Sequence, residues 1–146
     1  MILHAGLIAL RQGGAWMGVL VLGEAGAGKS DLMLRAIGQG FRLVADDRTI
    51  AWRSAGRLFG RAPDRLSGLI ELRGIGVLRE PALPMAEIGL AIHCEAREGL
   101  ERMPEPAFED IAGGPVPVLR IHALDASAPA KLGRALNRLG RSRGAA

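Results

Sequence analysis

Residues 23–30 read GEAGAGKS. It matches in full the phosphate-binding loop pattern G-x-x-x-x-G-K-[ST]. An apolar run at 16–22, WMGVLVL, precedes the loop as a buried strand would, and a helix-forming stretch follows from Asp31 to Ile37. A strand, a glycine-rich loop and a helix in this order are the context in which the pattern indicates phosphate binding. The alternative is a glycine-rich turn with no ligand, which this context disfavours.

The loop residues suit the binding of a polyphosphate. The glycines let successive backbone N–H groups point inward, and the following helix directs its N-terminal dipole at the same anion. Lys29 places a compact cation there, in a chain that has only one other lysine and otherwise uses arginine. The Ser30 hydroxyl is a suitable ligand for Mg²⁺. We therefore expect a nucleotide to bind at Gly23, Glu24, Ala25, Gly26, Ala27, Gly28, Lys29 and Ser30.

Composition narrows the class of protein. A chain of 146 residues with 49% apolar residues predicts one globular domain, residues 1–146. The net charge of +4 comes from dispersed arginine, and aromatic residues make up only 3%, so nucleic-acid binding is disfavoured. The arginine-rich segment 134–143 is more typical of the solvated face of a terminal helix than of a nucleic-acid contact. The chain has one cysteine, Cys94, which is expected to be a small buried apolar residue. The N-terminal sequence resembles neither a leader nor a membrane span. Both features indicate a cytoplasmic protein.

Hydrophobic periodicity predicts an α/β or α+β domain with two helices. The first helix runs from residue 31 to about 38, with Gly40 closing it, and the second covers 128–139. Residues 66–77 form an apolar run broken by charges and glycines, and 104–117 is expected to be a loop. The predicted strands are 2–10, 16–22, 41–45, 49–53, 57–60, 87–94 and 118–124.

Three kinds of side chain are candidates for chemistry beside the loop. Asp46 and Asp47 end the strand that follows the loop helix, and because side chains alternate along a strand they should point in opposite directions. One of them could serve a metal or the acceptor, although aspartate is also common at strand ends. Glu71 lies in an apolar run and should meet a metal, or else an arginine such as Arg73. His4, on the first predicted strand, is by itself more typical of a core residue.

In order along the chain, His4, GEAGAGKS at 23–30, LVADD at 43–47 and LIELRGIGV at 69–77 resemble the catalytic domain of the bifunctional HPr kinase/phosphorylases. Arg102 is a weaker match. The combination of the loop with the two later motifs is far more specific than the loop alone, and it covers most of the chain. The chain reads as a short, stand-alone form without the family's usual N-terminal domain.

The resemblance implies a fold, a reaction and a set of roles. The fold would be an α/β phosphate-loop domain with a mixed β-sheet, akin to phosphoenolpyruvate carboxykinase. The reaction would be transfer of the ATP γ-phosphoryl group to a serine of the phosphocarrier HPr, with reversal by inorganic phosphate to give pyrophosphate. It further implies a hexamer. The family's catalytic aspartate falls on Asp47, its metal ligands on Ser30 and Glu71, and its remaining active-site positions on Lys29, His4 and Arg102.

Two other functions remain open on the residues alone. One is a kinase or nucleotide hydrolase that acts on a small metabolite, and the other is a nucleotide-binding regulatory module without catalysis. The family also has an arginine-rich loop before its last helix that serves dephosphorylation, whereas residues 125–131 here read DASAPAK. Lys131 is the one cation there. The reverse reaction is therefore a separate question from the kinase reaction.

Overall fold

The computed structural model describes residues 1–140. Two arginines of the arginine-rich segment, Arg141 and Arg143, lie outside the described residues. Arg134 and Arg138 of the same segment are described and lie on the second helix. Eleven strands and two α-helices follow one another along the described chain: β1 (Ile2–Leu3), β2 (Gly6–Gln12), β3 (Ala15–Leu22), α1 (Lys29–Ile37), β4 (Arg42–Ala45), β5 (Thr49–Ser54), β6 (Arg57–Arg61), β7 (Leu69–Leu72), β8 (Gly76–Arg79), β9 (Ala86–Cys94), β10 (Ala107–Asp110), β11 (Pro115–Ile121) and α2 (Ala128–Leu139).

The main sheet is mixed, which confirms the predicted fold class. β3 lies between β9, to which it is parallel, and β2, to which it is antiparallel, and β4 pairs with the other edge of β2. β9 shares its second edge between β6 at its beginning and β11, in parallel, at its end. The carboxyl ends of β4, β3, β9 and β11 therefore lie along one edge of the sheet. In open α/β sheets this is the edge where ligands bind.

The β2–β3 hairpin sets the register at the centre of the sheet. Its two-residue turn, Gly13–Gly14, has φ angles of 55° and 82°, the left-handed conformation that such tight hairpin turns require. Seven residue pairs follow, from Gln12 opposite Ala15 to Gly6 opposite Val21. The turn therefore fixes which residues of β3 precede the phosphate-binding loop.

Apolar side chains cover both faces of the sheet. Both helices pack on one face, where Leu32 and Met33 of α1 and Leu132 and Leu136 of α2 are fully or almost fully buried. A second buried cluster fills the other face, including Leu7 and Leu20. Because β3 is buried on both faces, its sequence reads as a continuous apolar run, as is typical of a central strand. The predicted second helix is confirmed with identical bounds.

Several predicted boundaries were wrong. Residues 104–117 are not a loop throughout, because they contain β10 and the start of β11, paired antiparallel from Ala107 opposite Val118. The two prolines of β11 made its sequence look like a loop. Proline is nevertheless tolerated at the first residue of a strand and where its nitrogen faces no partner. The predicted strand 2–10 is interrupted at residues 4–5, and 66–77 contributes to a separate two-stranded hairpin, β7–β8. Neither described helix is long and apolar enough to cross a bilayer.

Candidate active site

The phosphate-binding loop connects β3 to α1 with its glycines in left-handed conformations. Gly26 and Gly28 have φ angles of 85° and 89°, and Gly28 caps the N-terminus of α1. One internal hydrogen bond, from Ala27 N–H to the Glu24 carbonyl (3.1 Å), closes the turn. A Cβ atom added to Gly26 would meet no other atom within 4 Å, so the mouth of the loop is open. The loop can therefore admit an anion to its backbone amides.

Lys29 folds back over this loop. Its Nζ donates to the carbonyl oxygens of Gly23 (2.5 Å) and Glu24 (3.1 Å). These bonds hold the ammonium group against the backbone that surrounds the open mouth. A phosphate oxygen entering there would meet a cation that is already positioned.

Asp46 joins three elements of the site. It follows β4, is only 8% exposed, and accepts a hydrogen bond from Ser30 Oγ at 2.9 Å through Oδ1. Its Oδ2 accepts from the Glu71 backbone N–H, also at 2.9 Å. Sequence reasoning named Asp46 as one of two candidates at the strand end but gave it no role. The signal that could have found it is its position at the end of a buried strand directly after the loop helix.

Asp47 has a different partner from Asp46, although both residues lie in the bend after β4 and not on the strand, where alternation would apply. Its Oδ1 lies 2.8 Å from His4 Nε2, and the two side chains are 55% and 63% exposed. Asp47 has a φ of 66°, an uncommon conformation for a residue other than glycine. The interpretation of His4 as a core residue on a strand was wrong, because the chain bends between β1 and β2 and turns the imidazole outward.

Glu71 is held near the loop by a backbone contact, whereas Arg102, among the described residues, is not. Glu71 lies on β7 with an exposed side chain, and its backbone bond to Asp46 holds it next to Ser30. Among residues 1–140, the alternative ion pair between Glu71 and an arginine such as Arg73 is not formed. Arg102 is exposed in the segment between residue 99 and β10, and within residues 1–140 it makes no hydrogen bond or ion pair. Within the described part of the chain, no hydrogen bond or ion pair joins Arg102 to Asp47.

The turn between β11 and α2 packs against the other side of the loop. Arg35 of α1 donates to the carbonyl oxygens of Ala123 and Asp125, the latter at 3.1 Å, and pairs with Asp31 at 2.9 Å. A Cβ atom added to Gly28 would lie 3.1 Å from Leu124 Cδ2.

Cys94 lies beneath the first glycine of the loop. A Cβ atom on Gly23 would come within 3.0 Å of the Cys94 carbonyl oxygen, so backbone and loop are in close contact. The thiol is 5% exposed, and burial raises its pKa to about 11 from the ordinary 9.0, against the opposing effect of the Lys29 charge. The prediction of a small buried residue is confirmed. A thiol with this pKa is a poor nucleophile at neutral pH.

The oxygens gathered at the loop suit a hard cation. Among the residues described, no group of three or more His, Cys, Asp or Glu side chains could enclose a metal ion. Magnesium in nucleotide sites needs no such cage, because it is held by one or two protein oxygens together with phosphates and water. Ser30 Oγ and the Asp46 carboxylate, 2.9 Å apart, fit that requirement, and the Glu71 backbone N–H is bonded to the same carboxylate. The arrangement thus combines an anion-binding loop, a cation, oxygens for a metal, and an accessible carboxylate–imidazole pair.

Comparison with known proteins places this arrangement in a family. The sequence model described as "HPr Serine kinase C-terminal domain" matches residues 2–83, more than half of the chain. The HPr kinase/phosphorylase of Leptothrix cholodnii is 42% identical over 113 residues, which cover 68% of this chain and 35% of the relative. That of Clostridium tetani is 40% identical over 86 residues, covering 54% of this chain and 28% of the relative.

A solved structure agrees with these sequence relatives. The HPr(Ser) kinase/phosphatase from Coxiella burnetii superposes with a TM-score of 0.82 at 27% identity, covering 94% of this chain and 89% of that chain. The curated relatives are much longer, and this chain spans about a third of their length. Similarity in sequence and in fold leads to the same conclusion: the chain belongs to the HPr serine kinase C-terminal domain family.

Proposed function

We propose that this protein is a Mg-ATP-dependent serine kinase that phosphorylates HPr or an HPr-like phosphocarrier protein. The observation that carries the proposal is the convergence of Lys29, the Ser30–Asp46 pair and the His4–Asp47 pair at one edge of the sheet. The names of the relatives supply the substrate class. We propose that the reverse reaction, phosphorolysis of phosphoserine to release pyrophosphate, uses the same residues.

Phosphoryl transfer requires positioning and neutralisation of charge more than covalent help from the protein. In the proposed complex the amides of residues 23–30 and the Lys29 ammonium group hold the β- and γ-phosphates of ATP. Ser30 and Glu71 would hold magnesium, which neutralises charge between the phosphates. The Ser30 hydroxyl donates its hydrogen bond to Asp46 Oδ1, which leaves the oxygen lone pairs of Ser30 available to a metal.

Asp47 is the proposed base. One carboxylate oxygen, Oδ1, is engaged by His4, so Oδ2 remains available to an incoming hydroxyl group. The substrate serine oxygen attacks the γ-phosphorus, its proton passes to Asp47, and ADP leaves. In reverse, an oxygen of inorganic phosphate attacks the phosphoserine phosphorus, and the departing serine oxygen takes the proton from Asp47. His4 orients the carboxylate in both directions. Arg102 would neutralise the transferred group if its segment approaches the site when substrate binds.

The remaining proposals follow from the family. A kinase of a phosphocarrier protein works in the cytoplasm, and we propose that location together with a homo-hexameric assembly and a single catalytic domain over residues 1–146. The exposure of His4 and Asp47, 63% and 55%, supports a protein substrate, because a folded partner needs an accessible reaction centre.

A labelled-transfer assay tests the proposal. The protein is incubated with γ-labelled ATP, Mg²⁺ and HPr, with HPr lacking its acceptor serine as the matched control. We expect label on wild-type HPr alone, and pyrophosphate release when phosphoserine-HPr and inorganic phosphate are supplied. If HPr carries no label under conditions where ATP binds, the proposed kinase function is rejected. Turnover of ATP without any protein acceptor would indicate a small-molecule kinase or hydrolase, and binding without turnover a regulatory module.

A further inference from the structure

We propose that the turn at residues 122–127, between β11 and α2, forms the nucleobase subsite, with Leu124 as its apolar contact. This inference rests on the proposed ATP-dependent function and deepens it. The turn lies at the carboxyl edge of the sheet, where the phosphate-binding loop also lies.

The order of strands gives the direction in which a nucleotide must lie. Along this edge the sequence of strands is β4, β2, β3, β9 and β11. Asp47 and His4 lie on the β4 and β2 side of the loop, so the γ-phosphate that reacts there must face that side. A nucleotide is an elongated molecule with its base at the opposite end from the γ-phosphate. The base is therefore directed across the loop, toward β9 and β11.

Leu124 stands where the base would arrive. Its side chain is 62% exposed, and its Cδ2 lies 3.1 Å from the position of a Cβ atom on Gly28. The apolar surface is thus continuous with the loop that holds the phosphates. A large exposed apolar side chain beside a polar ligand-binding loop is explained by a partner with an apolar face, and a purine ring has one.

The turn is held rigidly, so Leu124 is presented in a fixed position. Arg35 donates to two of its carbonyl oxygens, those of Ala123 and Asp125. The Asp125 carboxylate pairs with Arg97, and His122 Nδ1 lies 3.0 Å from the Glu95 carbonyl oxygen. A surface that is already ordered loses little conformational entropy when a ligand binds.

The same contacts predict weak discrimination between bases. The carbonyl oxygens of residues 122, 123 and 125 already accept hydrogen bonds from Asp125 N–H and from Arg35, and the Asp125 carboxylate is paired. The carbonyl oxygens and the carboxylate that are already bonded are therefore not free to read the amino or keto edge of a purine, and the contact that the subsite offers is the apolar side chain of Leu124. We expect ATP and GTP to bind within about tenfold of each other, since large discrimination requires hydrogen bonds to the distinguishing group.

The test compares a nucleotide with a ligand that has phosphates but no base. Calorimetry with Mg²⁺ measures the Kd of ATP and of inorganic tripolyphosphate for the wild-type chain and for Leu124→Ser, Leu124→Met and Phe108→Ser. Phe108 is a matched control, because it is 66% exposed and lies on β10, away from the loop. For Leu124→Ser we expect the Kd of ATP to rise about five- to twentyfold, and the Kd of tripolyphosphate to stay within about twofold. Leu124→Met should keep most of the affinity, and Phe108→Ser all of it.

Each other outcome overturns the subsite. Equal weakening of ATP and tripolyphosphate by Leu124→Ser means that the turn supports the loop and does not touch the base. An unchanged Kd for ATP means that the base lies elsewhere. A wild-type chain that binds neither ligand rejects the proposed function and the subsite with it, whereas tight tripolyphosphate binding without any gain from the base rejects the subsite alone.

Discussion

Replacing Asp47 by Asn separates chemistry from binding and from folding. The substitution removes the negative charge and the proton acceptor while preserving the shape of the side chain. The amide oxygen of Asn can still accept a hydrogen bond from His4, which lies 2.8 Å from Oδ1 in the structure. Asn also tolerates the left-handed backbone at this position, where φ is 66°.

The expected effect on rate follows from the loss of a general base. Such groups contribute about 10²- to 10⁴-fold, so kcat for transfer to HPr should fall by that factor, equivalent to about 3 to 5 kcal/mol. The side chains of Asp47 and His4 are both more than half exposed, so their hydrogen bond contributes little to stability. The free energy of unfolding should therefore change by less than about 0.5 kcal/mol. The Kd of ATP should stay within about threefold, because the Asp47 side chain is bonded to His4, whereas it is Asp46 that is bonded to Ser30.

The assay measures labelled transfer at saturating HPr, calorimetric ATP binding, and urea denaturation on the same preparations. Asp64→Asn is the matched control, because Asp64 is also a surface aspartate, 97% exposed, paired with Arg61 at 3.2 Å. It should leave all three quantities unchanged. If Asp47→Asn retains a kcat within about threefold of wild type, Asp47 is not the base and the reasoning from its free Oδ2 is wrong.

Two further predictions concern buried groups. Asp46→Asn should lower the free energy of unfolding, measured in urea titrations, by about 1 to 3 kcal/mol, because the amide nitrogen of Asn cannot accept one of the two hydrogen bonds that Asp46 accepts. The same variant should need a higher Mg²⁺ concentration for activity. Unchanged stability would contradict the buried contacts of Asp46 with Ser30 and Glu71. Cys94 should be alkylated by iodoacetamide at pH 8 about 100-fold more slowly in the folded than in the urea-unfolded chain, because its pKa is raised from 9.0 to about 11. Since the fold favours the protonated thiol, the Cys94 contribution to stability is present below pH 9 and is lost as pH rises to 11, a slope that Cys94→Ala should remove.

Sequence reasoning succeeded where local pattern and tertiary environment agree. The loop motif, the apolar run of β3 and the amphipathic periodicity of α2 each depend on residues close together in sequence. Gly40 ends the α1 region as predicted, with a φ of 106° and with Phe41 N–H bonded to the Ala36 carbonyl. In these segments the local preference is also the one that buries the most apolar surface.

It failed where a distant partner decides the local structure. β10 and the first residues of β11 form because they pair with each other and because β11 adds to the edge of β9, and nothing in Pro115-Val116-Pro117 alone predicts that. His4 was placed on a continuous strand because the apolar run 2–10 hides a change of partner: β1 pairs with β5, whereas β2 pairs with β3 and β4. A bend is required where one strand's partner gives way to another's. That bend is what exposes the imidazole.

The contact between His4 and Asp47 follows from the backbone that carries them. A buried hydrogen bond joins Thr49 Oγ1 to the Ala5 carbonyl oxygen at 2.9 Å, one residue after His4 and two after Asp47. It fixes the distance between two bends whose side chains would otherwise be free at the surface. The left-handed backbone at Asp47 costs roughly 1 kcal/mol or more, and such conformations persist where surrounding contacts enforce them, often at functional sites. Asp46 and Asp47 therefore have different roles in the bend that follows β4: Asp46 is buried and accepts a hydrogen bond from Ser30, whereas Asp47 adopts the left-handed conformation and faces the solvent from which a substrate serine must come.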